Sequence, residues 1–275
     1  MKQPIEANVP LGATGILVPP IGLGLFKIGR NTKTKYPLEY SLPDDETVVR
    51  LLAAASDQGV TLLDTAPAYG SSEQRLGEAI RTTGWLGGRD RWIVATKAGE
   101  QFDGTTSRYD YSADAIQGSV ERSLKRIGVE RLDIVLIHSD GRDREILNES
   151  PALETLKRFA AQGDVRAVGM SVKTLDGARL AIERGVELLM IELNPSENAL
   201  QPIVAEAAEQ GIGLMIKKPL ASGHQASSSS SIGQCFEYLH DANVFTCGAV
   251  IVGTASAAHL QEDVEIFQEV SFRKK

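Results

Sequence analysis

The sequence predicts an α/β fold, a closed (β/α)8 TIM barrel with a short N-terminal β-hairpin, and three observations predict it. Eight short apolar runs recur along the 275 residues, and they are apolar throughout rather than alternating, as strands covered on both faces are. Between them lie segments with apolar residues at helical spacing. The first run, "GLGLF", lacks the glycine fingerprint that opens a doubly wound nucleotide-binding sheet, so eight units over about 250 residues favour the closed barrel.

In chain order, residues 8–18 ("NVPLGATGILV") read as two extended pieces around a glycine turn, a hairpin placed to close the barrel bottom. The strands follow: Ile21–Phe26, "VTLLDT" ending at Asp64, "RWIVATK" ending at Lys97, and "RLDIVLIH" ending at His138. Next come "VRAVGMS" ending at Ser171, Leu188–Leu193, Ile212–Lys217, and "GAVIVG" ending at Gly253. Of the helices, "ETVVRLLAAASDQG" is capped by Asp44 or Asp45 and stopped by Gly59. "SADAIQGSVERSLKRIG" aligns Ile116, Val120, Leu124 and Ile127 on one face and closes on Gly128. "PALETLKRFAAQG" begins with Pro151 after Ser150 and ends at Gly163. "LDGARLAIERG" and "QPIVAEAAEQG" repeat the pattern, and the last helix starts at Ser256. The serine-rich stretch "ASGHQASSSSSIGQ" reads as a mobile loop. With no linker elsewhere, residues 1–275 are expected to form one domain.

Composition narrows the function. A net charge of −7 argues against a general nucleic-acid binder, which needs a basic face. No apolar run approaches the ~20 residues of a membrane span, and the N-terminus lacks a signal-peptide core, so a cytoplasmic protein is expected. Cys235 and Cys247 stand outside any metal or redox spacing, and two reduced, packed thiols and no metal are expected.

Barrel chemistry sits at the C-terminal strand ends. There Asp64, Lys97 and His138 terminate strands two, three and four, and neighbouring strands at ~4.8 Å let the three converge. Tyr69, on the loop after strand two, leans back over them. A free phenol has a pKa near ~10, and an ammonium within hydrogen-bond reach is expected to lower it. The carboxylate of Asp64 holds that ammonium, and His138 donates a hydrogen bond to a substrate oxygen. Lys217 and Lys218 in "IKKPLASG" lie near the loops after strands seven and eight, a common phosphate site in barrels. The helix opened by "GTASAAHLQEDV" offers N-terminal amides to a second phosphate. The aromatics Tyr36, Tyr40, Phe102, Tyr109 and Tyr111, on the loops after strands one and three, are candidates for the pocket wall.

At "LLDTAPAYGSSEQRLGEAI", "IVATKAG", "SVERSLKRIGVERLDIVLIH" and "VIVGTASAAHLQEDV" the sequence resembles the aldo-keto reductases, over nearly its whole length. The resemblance implies carbonyl reduction by NADPH, with NADH as the alternative, on a small-molecule substrate. It implies Tyr69 as general acid, Lys97 and Asp64 as its tuning pair, and His138 as the orienting residue. Cofactor contacts would come from Gly24, Leu25, Phe26, Asp64 and Ser171, then from Lys217, Pro219, Leu220 and Ser222 after strand seven. Gly253, Thr254, Ala255, Ser256, His259, Glu262 and Asp263 would hold the adenosine end. Several positions depart from the family pattern: Val172 replaces an asparagine, Met190 a glutamine, and Lys217 a stacking aromatic. Ala255 and His259 stand where NADPH-specific members carry cations. Two alternatives stay open, a nucleotide-sensing regulatory protein of the same fold and an aldolase that forms a Schiff base on Lys97.

Overall fold

The computed structural model describes residues 4–5, 7–84, 92–226 and 228–274. Its eight parallel strands are β1 (Ile21–Gly24), β2 (Leu62–Asp64), β3 (Ile93–Ala98) and β4 (Leu132–His138), followed by β5 (Val165–Ser171), β6 (Leu188–Glu192), β7 (Gly213–Lys217) and β8 (Gly248–Gly253). They close in the order β6-β7-β8-β1-β2-β3-β4-β5, the expected (β/α)8 barrel. Every strand falls on an apolar run singled out in the sequence, with ends within two residues.

Alternation along the strands sorts side chains into two cores. Leu63, Val94, Val135, Val168, Leu189, Leu214 and Val250 point outward into the layer under the helices. Leu62, Ala95, Leu136, Met190, Met215 and Ile251 point inward and fill the barrel. One step of two residues further along each strand lies the inward rim. It reads Gly24, Asp64, Lys97, His138, Ser171, Glu192, Lys217 and Gly253. The strand period therefore delivers one residue per strand to the mouth, and polar types occupy six of the eight places.

The N-terminal hairpin pairs Val9–Pro10 with Leu17–Val18. Its Leu11, Ile16 and Val18 are buried in the inner core, so the hairpin stoppers the barrel's lower end as the sequence suggests. Gly12 makes this approach with φ +57°, where an added Cβ would lie 2.3 Å from the Gly213 nitrogen.

Helix boundaries follow their caps. Asp44 caps Asp45–Asp57 by accepting from Thr47 N, and Gly128 ends Ala113–Ile127 in the left-handed region. Pro151 sits just before Ala152–Gln162, and Ser256 caps Ala257–Arg273. The serine run differs from expectation: Ser228 and Ser231 form a reciprocal capping box that opens the helix Ser229–Asp241. Ser227 lies outside the described residues. After β3, a second hairpin pairs Glu100–Phe102 with Ser107–Tyr109 where the sequence suggests only a loop. Both cysteines are buried and free. Among the described residues no helix is long and apolar enough to cross a membrane, and no group of three or more His, Cys, Asp or Glu is placed to hold a metal.

Candidate active site

Asp64 and Lys97 face each other from β2 and β3 inside the rim. Lys97 is 1% exposed, a burial an ammonium tolerates only when fully paired. Its Nζ donates to Asp64 Oδ1 at 2.6 Å, to the Thr65 carbonyl at 3.0 Å and to the Tyr69 hydroxyl at 2.9 Å. The Tyr69 hydroxyl donates in turn to Asp64 Oδ2 at 3.3 Å. Tyr69 stands in a short 3-10 turn, Pro67–Tyr69, that Gly70 closes at φ +64°. Arg30 Nη1 donates to the Ala68 carbonyl, and the Phe26 ring meets that of Tyr69 edge-on at 5.1 Å. The hydroxyls of Thr65 and Ser72, 2.8 Å apart, brace the same turn from below.

Burial, reinforced by the Asp64 carboxylate, pushes the Tyr69 phenol well above its ordinary value. In the resting site the phenol is held protonated, the state a proton donor requires, and the Lys97 amine at 2.9 Å stands where its charge favours the phenolate against the larger effect of burial. Burial pulls Lys97 down, with Asp64 opposing.

His138 lies at the end of β4, its ring edge-on to that of Tyr69 at 6.3 Å. Its Nδ1 is 3.0 Å from Oε2 of Glu100, a residue that no sequence motif singled out. Burial would raise the Glu100 carboxyl, but His138, Ser107 and Tyr109 outweigh it and hold the group down at about 2. The Nδ1 contact is close without hydrogen-bond geometry, and the Glu100 charge favours a proton on that nitrogen over the far one. Burial pulls His138 below its ordinary value, so Nε2 of the neutral ring is an acceptor. Donation from His138 to a carbonyl oxygen, as the sequence suggests, therefore requires the charged ring.

Above the rim opens a cavity of about 770 Å³. Gly24, Phe26, Asp64, Tyr69, His138 and Lys217 line its deep end, and Pro219, Leu220, Ser222, Gly253 and Thr254 its middle. His259, Glu262 and Asp263 line its outer end. Four expected contacts are absent from this wall. Leu25 is wholly buried, Ser171 lies beneath Lys217, and Ala255 and Ser256 stand aside, the Ser256 hydroxyl being taken up by His259 N. Lys217 does not reach toward the outer end as a phosphate ligand; it bends over the mouth to Ser171 Oγ at 2.9 Å. Lys218 pairs with Glu192. Of the loop aromatics only Tyr36 lines the cavity: Tyr111 donates to the His138 carbonyl, Tyr40 to that of Arg30, and Phe102 lies under the Arg30 guanidinium at 3.6 Å. The loop after β7 carries Lys218, Ala221 and Ser222 at positive φ, and strain of this kind concentrates where a loop shapes a site.

A family model described as the aldo/keto reductase family matches residues 20–271. The D-threo-aldose 1-dehydrogenase of a Pseudomonas species is 27% identical over 252 residues, covering 82% of this chain and 73% of its own length. The NADH-specific methylglyoxal reductase of Escherichia coli is 27% identical over 234 residues, covering 78% of this chain and 68% of its own. A crystal structure from Pseudomonas aeruginosa assigned to the aldo-keto reductases superposes with a TM-score of 0.86 at 37% identity, covering 98% of this chain and 99% of that one.

Proposed function

The chain belongs to the aldo/keto reductase family and is an NAD(P)H-dependent oxidoreductase; from that premise we propose that it reduces small aldehydes or ketones to alcohols, with Tyr69 as the proton donor. The observation that carries this reading is the Lys97 amine bonded at once to Asp64 and to the Tyr69 hydroxyl at the floor of a deep cavity. A carbonyl oxygen resting on the phenol takes its proton, and the phenolate left behind lies against the ammonium that Asp64 holds in place. His138 faces the same volume, and its charged ring would donate from Nε2 to the carbonyl oxygen.

The residues present fit a dinucleotide. Gly24 and Gly253 leave the barrel mouth without side chains: a Cβ on Gly253 would stand 2.9 Å from the Tyr36 hydroxyl. The 17-residue helix Ala257–Arg273 opens beside the outer end, where its N-terminal amides favour an anion. When bound, the reduced nicotinamide supplies the hydride. Phe26, Gly24 and the Lys217 side chain would border its ring, and Thr254, His259 and Glu262 the adenosine half.

Lys97 lies behind Tyr69 and off the cavity wall, which leaves a carbonyl carbon no approach to its amine and speaks against a Schiff-base aldolase. The test is consumption of reduced cofactor with a reactive aldehyde such as 4-nitrobenzaldehyde. Turnover is expected for the wild type, and Tyr69→Phe should lower it by about 10²–10⁴-fold while cofactor affinity holds. Turnover undiminished in Tyr69→Phe would remove Tyr69 from its role. Binding of the dinucleotide with no turnover by the wild type would favour a nucleotide sensor.

A further inference from the structure

Lys217 occupies the inward rim position of β7, in register with Glu192 of β6. Glu192 takes Lys218 as its partner instead. Lys217 Nζ crosses the mouth and donates to Ser171 Oγ at 2.9 Å and to the Val172 carbonyl at 3.3 Å. Two of its three N–H groups are thus bound to neutral acceptors, and no carboxylate among the described residues forms an ion pair with it. The groups that face it are Lys218, the next residue in the chain, Glu192 in register on β6, Lys173 beyond β5, Lys97 of β3 and His138 of β4. Four of the five are cationic or able to become so. Such an ammonium keeps most of its field for the cavity it lines.

A carbonyl oxygen on Tyr69 requires the electron donor within about 3–3.5 Å of the carbonyl carbon, which places the nicotinamide ring over the rim rather than farther out. We propose that Lys217 is a charge selector for that ring: its ammonium admits the neutral dihydronicotinamide and disfavours the cationic oxidised form. The inference rests on the functional reading above. Reduced cofactor is thereby retained for the next carbonyl, and oxidised cofactor is released after each turnover. Burial, aided by Lys218, brings the Lys217 amine down to about 7. Below that pH the amine is charged and discriminates; above it the amine is neutral and the discrimination fades. Like unit charges within about 8 Å, at an effective dielectric of about 20, change a dissociation constant by about tenfold or more.

The test is calorimetric titration of the wild type, Lys217→Met and Lys217→Arg with reduced and with oxidised dinucleotide, at about pH 6 and about pH 8.5, on either side of the side chain's titration. At the lower pH the oxidised form should bind the wild type about tenfold more weakly than it binds Lys217→Met, and the gap should narrow at the higher pH. Lys217→Arg, charged throughout, should keep the weak oxidised-form affinity at both. Far-ultraviolet circular dichroism and thermal melting report that each of the three proteins is folded, and the oxidised-to-reduced affinity ratio carries the test. An oxidised-to-reduced affinity ratio in Lys217→Met equal to that of the wild type at the lower pH would overturn the proposal. A wild type that binds neither dinucleotide would overturn both the proposal and the functional reading beneath it.

Discussion

Lys97 has three N–H groups, and Asp64, Thr65 and Tyr69 take one each. Removing the amine therefore does two things. The phenolate that the proposed proton transfer would leave on Tyr69 loses its cation, and Asp64, 4% exposed, is left as a buried carboxylate without its cation. Lys97→Met should abolish most turnover and cost about 3–5 kcal/mol of unfolding free energy in a urea titration. Tyr69→Phe, which strands no charge, should melt close to the wild type. Glu100 gives a second prediction with a definite sign. Its folded value of about 2 lies below its ordinary 4.5, so the stability it contributes is whole above pH 4.5 and lost as pH falls toward 2. That contribution is at most about 3 kcal/mol, and Glu100→Gln should flatten the loss of thermal stability across that window.

At the scale of elements, the strands were the most legible part. Continuous apolar runs ending in Asp64, Lys97, His138, Ser171, Lys217 and Gly253 locate both the barrel and its rim, because a period of two fixes which end residues face inward. What escaped the reading escaped it for physical reasons. Glu100 reaches His138 only because "QFDGTTSR" folds back as a hairpin, and the Asp103-Gly104 pair was the local signal for that turn. The helix Ser229–Asp241 was hidden by its own cap, since consecutive serines suit a loop and a capping box equally. Orientation of Lys217 was out of reach, because a flexible side chain chooses its partner from three-dimensional neighbours. The N-terminal hairpin, by contrast, was readable, and its role can be checked. Gly12→Ala places a methyl against the Gly213 and Gly211 backbones at a left-handed φ, and should lower stability by about 2 kcal/mol or more in denaturant titration.

Over the whole molecule, the formal charge of −7 coexists with a deep site rich in lysines, so the field is uneven along the cavity. Its outer end carries Glu262, bonded to Ser229, and Asp263, which burial and the neighbouring Glu262 raise to about 7. His259 is the nearest basic residue in sequence, where a 2′-phosphate would ask for a fixed cation. NADH should accordingly bind at least as tightly as NADPH when the two are titrated side by side. At the opposite pole, Leu11, Ile16 and Val18 cork the cylinder with aliphatic carbon in the same inner core as Met190 and Met215. The molecule is thus a cup rather than a pipe. Among the described residues the cavity opens on the side away from this cork, so on the proposed mechanism the proton given up by Tyr69 would be replaced from the opening through which the alcohol leaves. Recharging the acid and clearing the vessel would then share a single doorway.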